Sequence, residues 1–179
     1  MGLFQQAARY SAPEPAYFGG SFLFKLTKAL KPEEEATMPF KRILTAVDFS
    51  PNSLEAFRIA AEMASIHSAS LHLLHVIEAW PSAPGEAALE LVQKANTAVE
   101  QLVASSQPGL EKVTLTTEVA SGRAFDEIVN RARDWRADVI VLGTKGTTSL
   151  EEIFLGGTAE HVIKEAPCSV LIVRPEDRT

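Results

Sequence analysis

From Met38 onward, short apolar runs alternate with stretches in which apolar residues recur every three or four positions. Ile43 to Val47 is an apolar run ending at Asp48, which reads as a strand. Leu54, Phe57, Ile59, Ala60, Ala61, Met63 and Ala64 mark one face of a helix over Pro51 to Ser68, with Ser50 at its N-cap and Pro51 at its first position. Leu71 to Ile77 predicts a second strand. Leu89, Val92, Ala95, Ala98, Val99 and Leu102 predict a helix over Glu86 to Ser105, ended by Gln107-Pro108-Gly109. Val113 to Val119 alternates as a third strand, and Phe125 to Trp135 follows as a helix. Asp138 to Leu142 is a fourth strand, Gly157 to Glu165 a fourth helix, and Ser169 to Val173 a fifth strand closed by Pro175.

The runs Val139-Ile140-Val141-Leu142 and Val170-Leu171-Ile172-Val173 lack alternation, which predicts burial on both faces. Five strands joined by helical connections then make a doubly wound α/β domain, a five-stranded parallel sheet with helices on both faces. Ligands of such domains sit outside the carboxyl ends of the strands, where the strand order reverses. Two of those places hold distinctive chemistry. Asp48-Phe49-Ser50 follows the first strand. Gly143-Thr144-Lys145-Gly146-Thr147-Thr148-Ser149 follows the fourth, and Gly156-Gly157-Thr158 opens the last helix. Glycines let a backbone approach phosphate closely, N–H groups at a helix start attract anions, and Lys145 and the hydroxyls add donors. Two readings fit these residues: a phosphate cradle, or an ordinary strand-to-helix turn whose hydroxyls face water. Asp48 likewise reads either as a ligand-facing carboxylate or as a cap for the helix that begins at Pro51.

Composition divides the chain. Residues 1–37 balance Arg9, Lys25, Lys28 and Lys31 against Glu14, Glu33, Glu34 and Glu35, so the whole net charge of −6 falls on residues 38–179. The first segment holds Phe4, Tyr10, Tyr17, Phe18, Phe22 and Phe24, is broken by Pro13, Pro15, Gly19 and Gly20, and shows no sustained period. It is an N-terminal extension, read either as an aromatic docking arm for a protein partner or as residues upstream of a true start at Met38. The acidic balance argues against a nucleic-acid partner held through phosphates. No apolar run approaches the roughly 20 residues of a membrane span. One cysteine, Cys168, excludes an internal disulfide and points to a reducing, cytoplasmic setting. With four scattered histidines it offers no paired metal-ligand spacing. His75 reads as a hydrogen-bonded core residue, His67, His72 and His161 as solvent-facing, Trp80 and Trp135 as packing, and Cys168 as a small apolar residue.

The segment Met38 to Arg174 resembles the universal stress protein family. The resemblance runs through Lys41-Arg42-Ile43-Leu44-Thr45-Ala46-Val47-Asp48-Phe49-Ser50 and Leu73-Leu74-His75-Val76-Ile77. It continues in Gly122 with Ile128 and Ala132, in Ala137-Asp138-Val139-Ile140-Val141-Leu142-Gly143, and in Ala159-Glu160-His161-Val162-Ile163 through Ala166-Pro167-Cys168-Ser169-Val170-Leu171-Ile172-Val173. Nucleotide-binding members carry G-x-x-G, nine residues, then G and Ser or Thr. Gly143, Gly146, the nine residues Thr147 to Leu155 and Gly156 fit this spacing, whereas Gly157 stands in place of the hydroxyl residue and Thr158 follows it.

The resemblance implies a Rossmann-like, adenine nucleotide alpha hydrolase-like fold and a site for ATP, ADP or AMP, with Mg²⁺ or Mn²⁺ accompanying the phosphates. Asp48 and Val76 would meet adenine and ribose, and Ala46 and Val47 would line the floor. Gly143, Lys145, Gly146, Gly156, Gly157 and Thr158 would contact the phosphates, mostly through backbone N–H groups, and Leu142 would join the cofactor-binding residues. It also implies a regulatory module in stress response or signalling, and a homodimer formed by antiparallel pairing of Ser169 to Val173. No nucleophile elbow, P-loop or acid/base pair marks a catalytic residue. The other roles weighed are an accessory interaction subunit docked through residues 1–37 with a vestigial site, and a slow Mg-dependent ATPase.

Overall fold

The structure, a computed structural model, describes residues 40–78, 85–106, 110–144 and 155–174. The chain alternates β1 (Arg42–Val47), α1 (Pro51–His67), β2 (Ser70–Ile77), α2 (Glu86–Ser105), β3 (Thr114–Ser121), α3 (Ala124–Asp134), β4 (Val139–Gly143), α4 (Gly157–Glu165) and β5 (Ser169–Val173). Every strand pair is parallel, in the order β3-β2-β1-β4-β5. The chain moves outward from β1 to β3 and returns past β1 to β4 and β5, so the order reverses between β1 and β4. The extension 1–37, Trp80, the Gln107-Pro108-Gly109 turn, Lys145 to Ser149 and Pro175 lie outside the described residues.

Successive strand residues point to opposite faces, and both faces are covered. On one side Ile43, Val47, Leu71, Leu73, Val139 and Val141 pack with Phe57 of α1 and Val99 of α2. On the other, Leu44, Leu74, Ile140 and Leu142 pack with Ile128 and Val129 of α3 and Val162 of α4. Ala56, Ala60 and Ala64 are fully buried on α1, and their small side chains let this helix lie close over β1 and β4. Phe57 between them is 2% exposed, a burial that contributes about 2–3 kcal/mol. At the opposite end of the sheet from the strand tips, Asp138 Oδ2 accepts from the amides of Lys41 and Arg42, each at 2.8 Å, and so fixes the register of β1 against β4.

Three expectations fail for identifiable reasons. The run Val170 to Val173 is not buried on both faces: β5 is a sheet edge, Ser169 and Leu171 are exposed, and only Val173 is fully covered. Leu54 and Leu89, counted in the apolar faces of α1 and α2, are exposed, because the contacting stripes are made by the alanines and by Ala88, Ala95 and Val99. His72 is not a surface residue. It is 7% exposed, because β2 is an interior strand and Trp135, at the end of α3, packs over its ring with centroids 5.3 Å apart.

The buried His72 anchors a polar network. Its Nδ1 lies 2.7 Å from Thr116 Oγ1 and its Nε2 3.2 Å from Glu118 Oε2, and Glu118 also pairs with Arg131 of α3. Burial pushes the His72 pKa below its ordinary value of 6.5, the Arg131 charge adds to that, and Glu118 opposes it. Below pH 6.5 the unfolded chain therefore takes up a proton that the folded His72 resists, and stability falls as the pH drops through that window toward the lower folded pKa. Urea unfolding at about pH 7.5 and about pH 5.5 should show this loss, and His72→Gln should reduce it. An identical pH dependence in the variant would contradict the assignment.

Candidate functional site

A cavity of about 390 Å³ opens at the carboxyl ends of β1, β2 and β4, where the strand order reverses. Ala46 and Val47 form the end of β1 there, with Asp48 just beyond. Val76 enters from β2, Leu142 and Gly143 from β4, and Gly156, Gly157 and Thr158 from the start of α4. These nine sequence-predicted residues converge on one cavity. Lys145 and Gly146 lie outside the described residues.

The turn after β1 is held by short-range hydrogen bonds. Ser50 caps α1 by accepting from Ser53 N at 3.3 Å. Ser53 Oγ donates to Ser50 O at 3.0 Å and accepts from Asp48 N at 3.3 Å. Asp48 Oδ1 accepts from Ser50 N at 3.1 Å and from Ser50 Oγ at 2.6 Å. The cap of α1 is therefore Ser50 rather than Asp48, which buttresses the capping serine and borders the cavity. Phe49 between them has φ 62°, a conformation that costs a bulky residue about 1–2 kcal/mol. Its ring packs on His75 with centroids 4.8 Å apart, and His75 Nδ1 donates to Val47 O at 2.8 Å. That bond bears out the hydrogen bond expected of His75, but the residue is half-buried and not part of the core.

Gly143 is required by space. A Cβ there would sit 2.7 Å from the backbone C and O of Asn52 and 2.9 Å from Ser53 N, so the tip of β4 touches the first turn of α1 through bare backbone. Beyond it, Thr144 N donates to Val173 O at 3.1 Å, and Gly156 N donates to Thr144 O at 2.7 Å. The Gly156 N–H is therefore engaged in closing the loop. The donors that α4 turns outward are the amides of Gly157, Thr158 and Ala159, which precede the first intrahelical bond from Glu160 N to Gly156 O at 3.0 Å. Among the described residues no side chain caps this end, and the acidic residue of its first turn, Glu160, is paired with Lys164 at 2.7 Å. Lys164 holds the Glu160 carboxyl below its usual range.

The sequence reading missed Ser53, Glu78, Ala124, Ile128 and Ala159, all of which line the cavity. Glu78 was findable by the same rule that located Asp48, since it directly follows a strand. Ala124 gave no chemical signal. At the rim, the exposed His161 donates from Nδ1 to Gly157 O at 2.7 Å and stacks on Phe125 of α3 with centroids 4.8 Å apart. Cys168 is half-buried, and burial together with the Asp138 charge pushes its thiol pKa up, which leaves it a packing residue. Among the described residues no cluster of three or more His, Cys, Asp or Glu could hold a metal ion, and no helix is long and apolar enough to cross a membrane.

A parallel sheet with this strand order and a crevice at its reversal defines a doubly wound, Rossmann-like α/β domain. Within that class, the chain belongs to the universal stress protein family, whose model matches residues 39–174. A universal stress protein of Methanocaldococcus jannaschii is 36% identical, with the match covering 75% of this chain and 82% of that protein. The solved structure of the universal stress protein UspA from Lactobacillus plantarum aligns with a TM-score of 0.65 and 28% identity, over 75% of this chain and 98% of that one. Two further solved structures are similar in fold. The universal stress protein from Archaeoglobus fulgidus in complex with dAMP has a TM-score of 0.58 and 21% identity, over 75% of this chain and 98% of that one. A universal stress protein in complex with cAMP has a TM-score of 0.56 and 19% identity, over 75% and 97%.

Proposed function

We propose that this chain binds an adenine nucleotide, ATP, ADP or AMP, in the cavity between β1 and β4 and acts as a nucleotide-responsive regulatory module of the universal stress protein type. The observation that carries the reading is the meeting, in one cavity of about 390 Å³, of an N-terminus of α4 with no side-chain cap and the strand-end residues Asp48 and Val76. The volume suits a nucleotide-sized ligand. Phosphates would lie against the amides of Gly157, Thr158 and Ala159, where the helix dipole and first-turn donors favour anions. Base and ribose would lie toward β1 and β2. Thr158 lines the cavity and would supply the hydroxyl that Gly157 lacks. The dAMP and cAMP complexes of fold relatives make adenine nucleotides the class to test.

Binding and read-out fit the site better than turnover, because Ser50 fixes Asp48 through Oδ1 as a positioned acceptor and the motifs hold no acid/base pair. Mg²⁺ or Mn²⁺ would arrive on a triphosphate. The exposed edge of β5, with Leu171 37% exposed, supports pairing with a second copy in a homodimer. The lone Cys168 supports a cytoplasmic setting.

Equilibrium dialysis should find at least one of ATP, ADP and AMP bound with a dissociation constant at or below about 1 mM, and Thr158→Ala should weaken it about threefold to tenfold. No binding of any of the three would overturn the reading. Sedimentation velocity should give a dimer mass that Leu171→Lys shifts to monomer; a wild-type monomer at high concentration would remove the dimer from the proposal.

A further inference from the structure

Two helix N-termini border the same cavity, and the chain treats them in opposite ways. At α4, Gly156 offers no side chain, and the first-turn amides remain as donors. At α3, the N-cap Arg123 also supplies no side-chain bond, yet the end is closed from across the fold: Glu78 Oε1 accepts from Ala124 N at 2.9 Å. Asp126 and Glu127 add further negative charge in the first turn of α3. One helix end thus attracts an anion and the other is already occupied by the protein's own carboxylate.

We propose that Glu78 is a specificity determinant of the cavity, a fixed carboxylate that accepts a ribose with unesterified hydroxyls and rejects one bearing a second phosphate. The inference rests on the nucleotide reading above. Glu78 stands one residue past Ile77, where β2 outruns β1, whose last residue Val47 pairs with His75. Its side chain is exposed, but the bond to Ala124 N holds the charge at the cavity wall. Asp48, at the tip of the neighbouring strand, lines the same cavity. With phosphates drawn to α4, the sugar would lie toward β1 and β2, whose tips carry these two carboxylates. Ribose hydroxyls donate to them, whereas a ribose phosphate brings about two negative charges against them. Arg123, the cation adjacent in sequence, is placed over the Phe125 ring at 4.5 Å and 3.6 Å from Asp126, so it is engaged outside this contact.

Isothermal titration of the full chain with AMP, adenosine 2′,5′-bisphosphate and adenosine 3′,5′-bisphosphate tests the assignment. The wild type should prefer AMP over both by about tenfold at low salt, and the preference should shrink as ionic strength rises. Glu78→Gln keeps an acceptor for Ala124 N and removes the charge, so it should narrow the preference to about threefold or less. Equal wild-type affinity for the three ligands, or a preference undiminished in Glu78→Gln, would overturn the role of Glu78 while leaving nucleotide binding in place. Failure of AMP, ATP and ADP all to bind would instead overturn the nucleotide reading on which it depends.

Discussion

Bare backbone contact between the tip of β4 and the first turn of α1 is the constraint on which the site depends. The Cβ position at Gly143 lies within 3 Å of three backbone atoms of Asn52 and Ser53, so a helix can start there only if residue 143 has no side chain. The same closeness runs along α1 through the fully buried Ala56, Ala60 and Ala64. With α1 seated this low, the chain leaving β1 has only three residues in which to turn into it, and that shortness accounts for the positive φ of Phe49 and the serine and aspartate hydrogen bonds around it. Asp48 is thereby set at the cavity wall by the geometry of helix packing.

The cavity has two chemical poles, and both follow from how helices begin. The glycine-led start of α4 leaves donors exposed, while the start of α3 is satisfied by Glu78. A ligand with an anionic end and a hydroxyl-bearing end matches that polarity, and an acidic chain can hold such a ligand because short-range N–H donors outweigh the net charge of −6 at contact distance. The rim ties the two helices together through the Phe125 and His161 rings.

Element order and sheet type were legible because the strands are short apolar runs, Val139 to Leu142 without any polar residue, and the helices carry clear three-and-four spacing. Residues at strand tips were legible for the same reason: a parallel sheet tells where to look before any side chain is placed. Position within the sheet was less so. Val170 to Val173 reads like a central strand, yet it forms an edge, since local sequence does not record how many neighbours a strand has. His72 looked polar and therefore exposed, but its partners Thr116 and Glu118 come from β3, more than forty residues away, and Glu118 is held in turn by Arg131 of α3. The spacing of Gly143 pointed to phosphate, whereas the structure adds a steric duty that no local pattern announces.

That duty is the most direct point of attack. Gly143→Ala forces the first turn of α1 to move, which should cost about 1–3 kcal/mol in urea unfolding and, at a temperature where the variant remains folded, weaken nucleotide binding with it. A variant that keeps wild-type stability and wild-type affinity would show that the seat of α1 on β4 does not build the site.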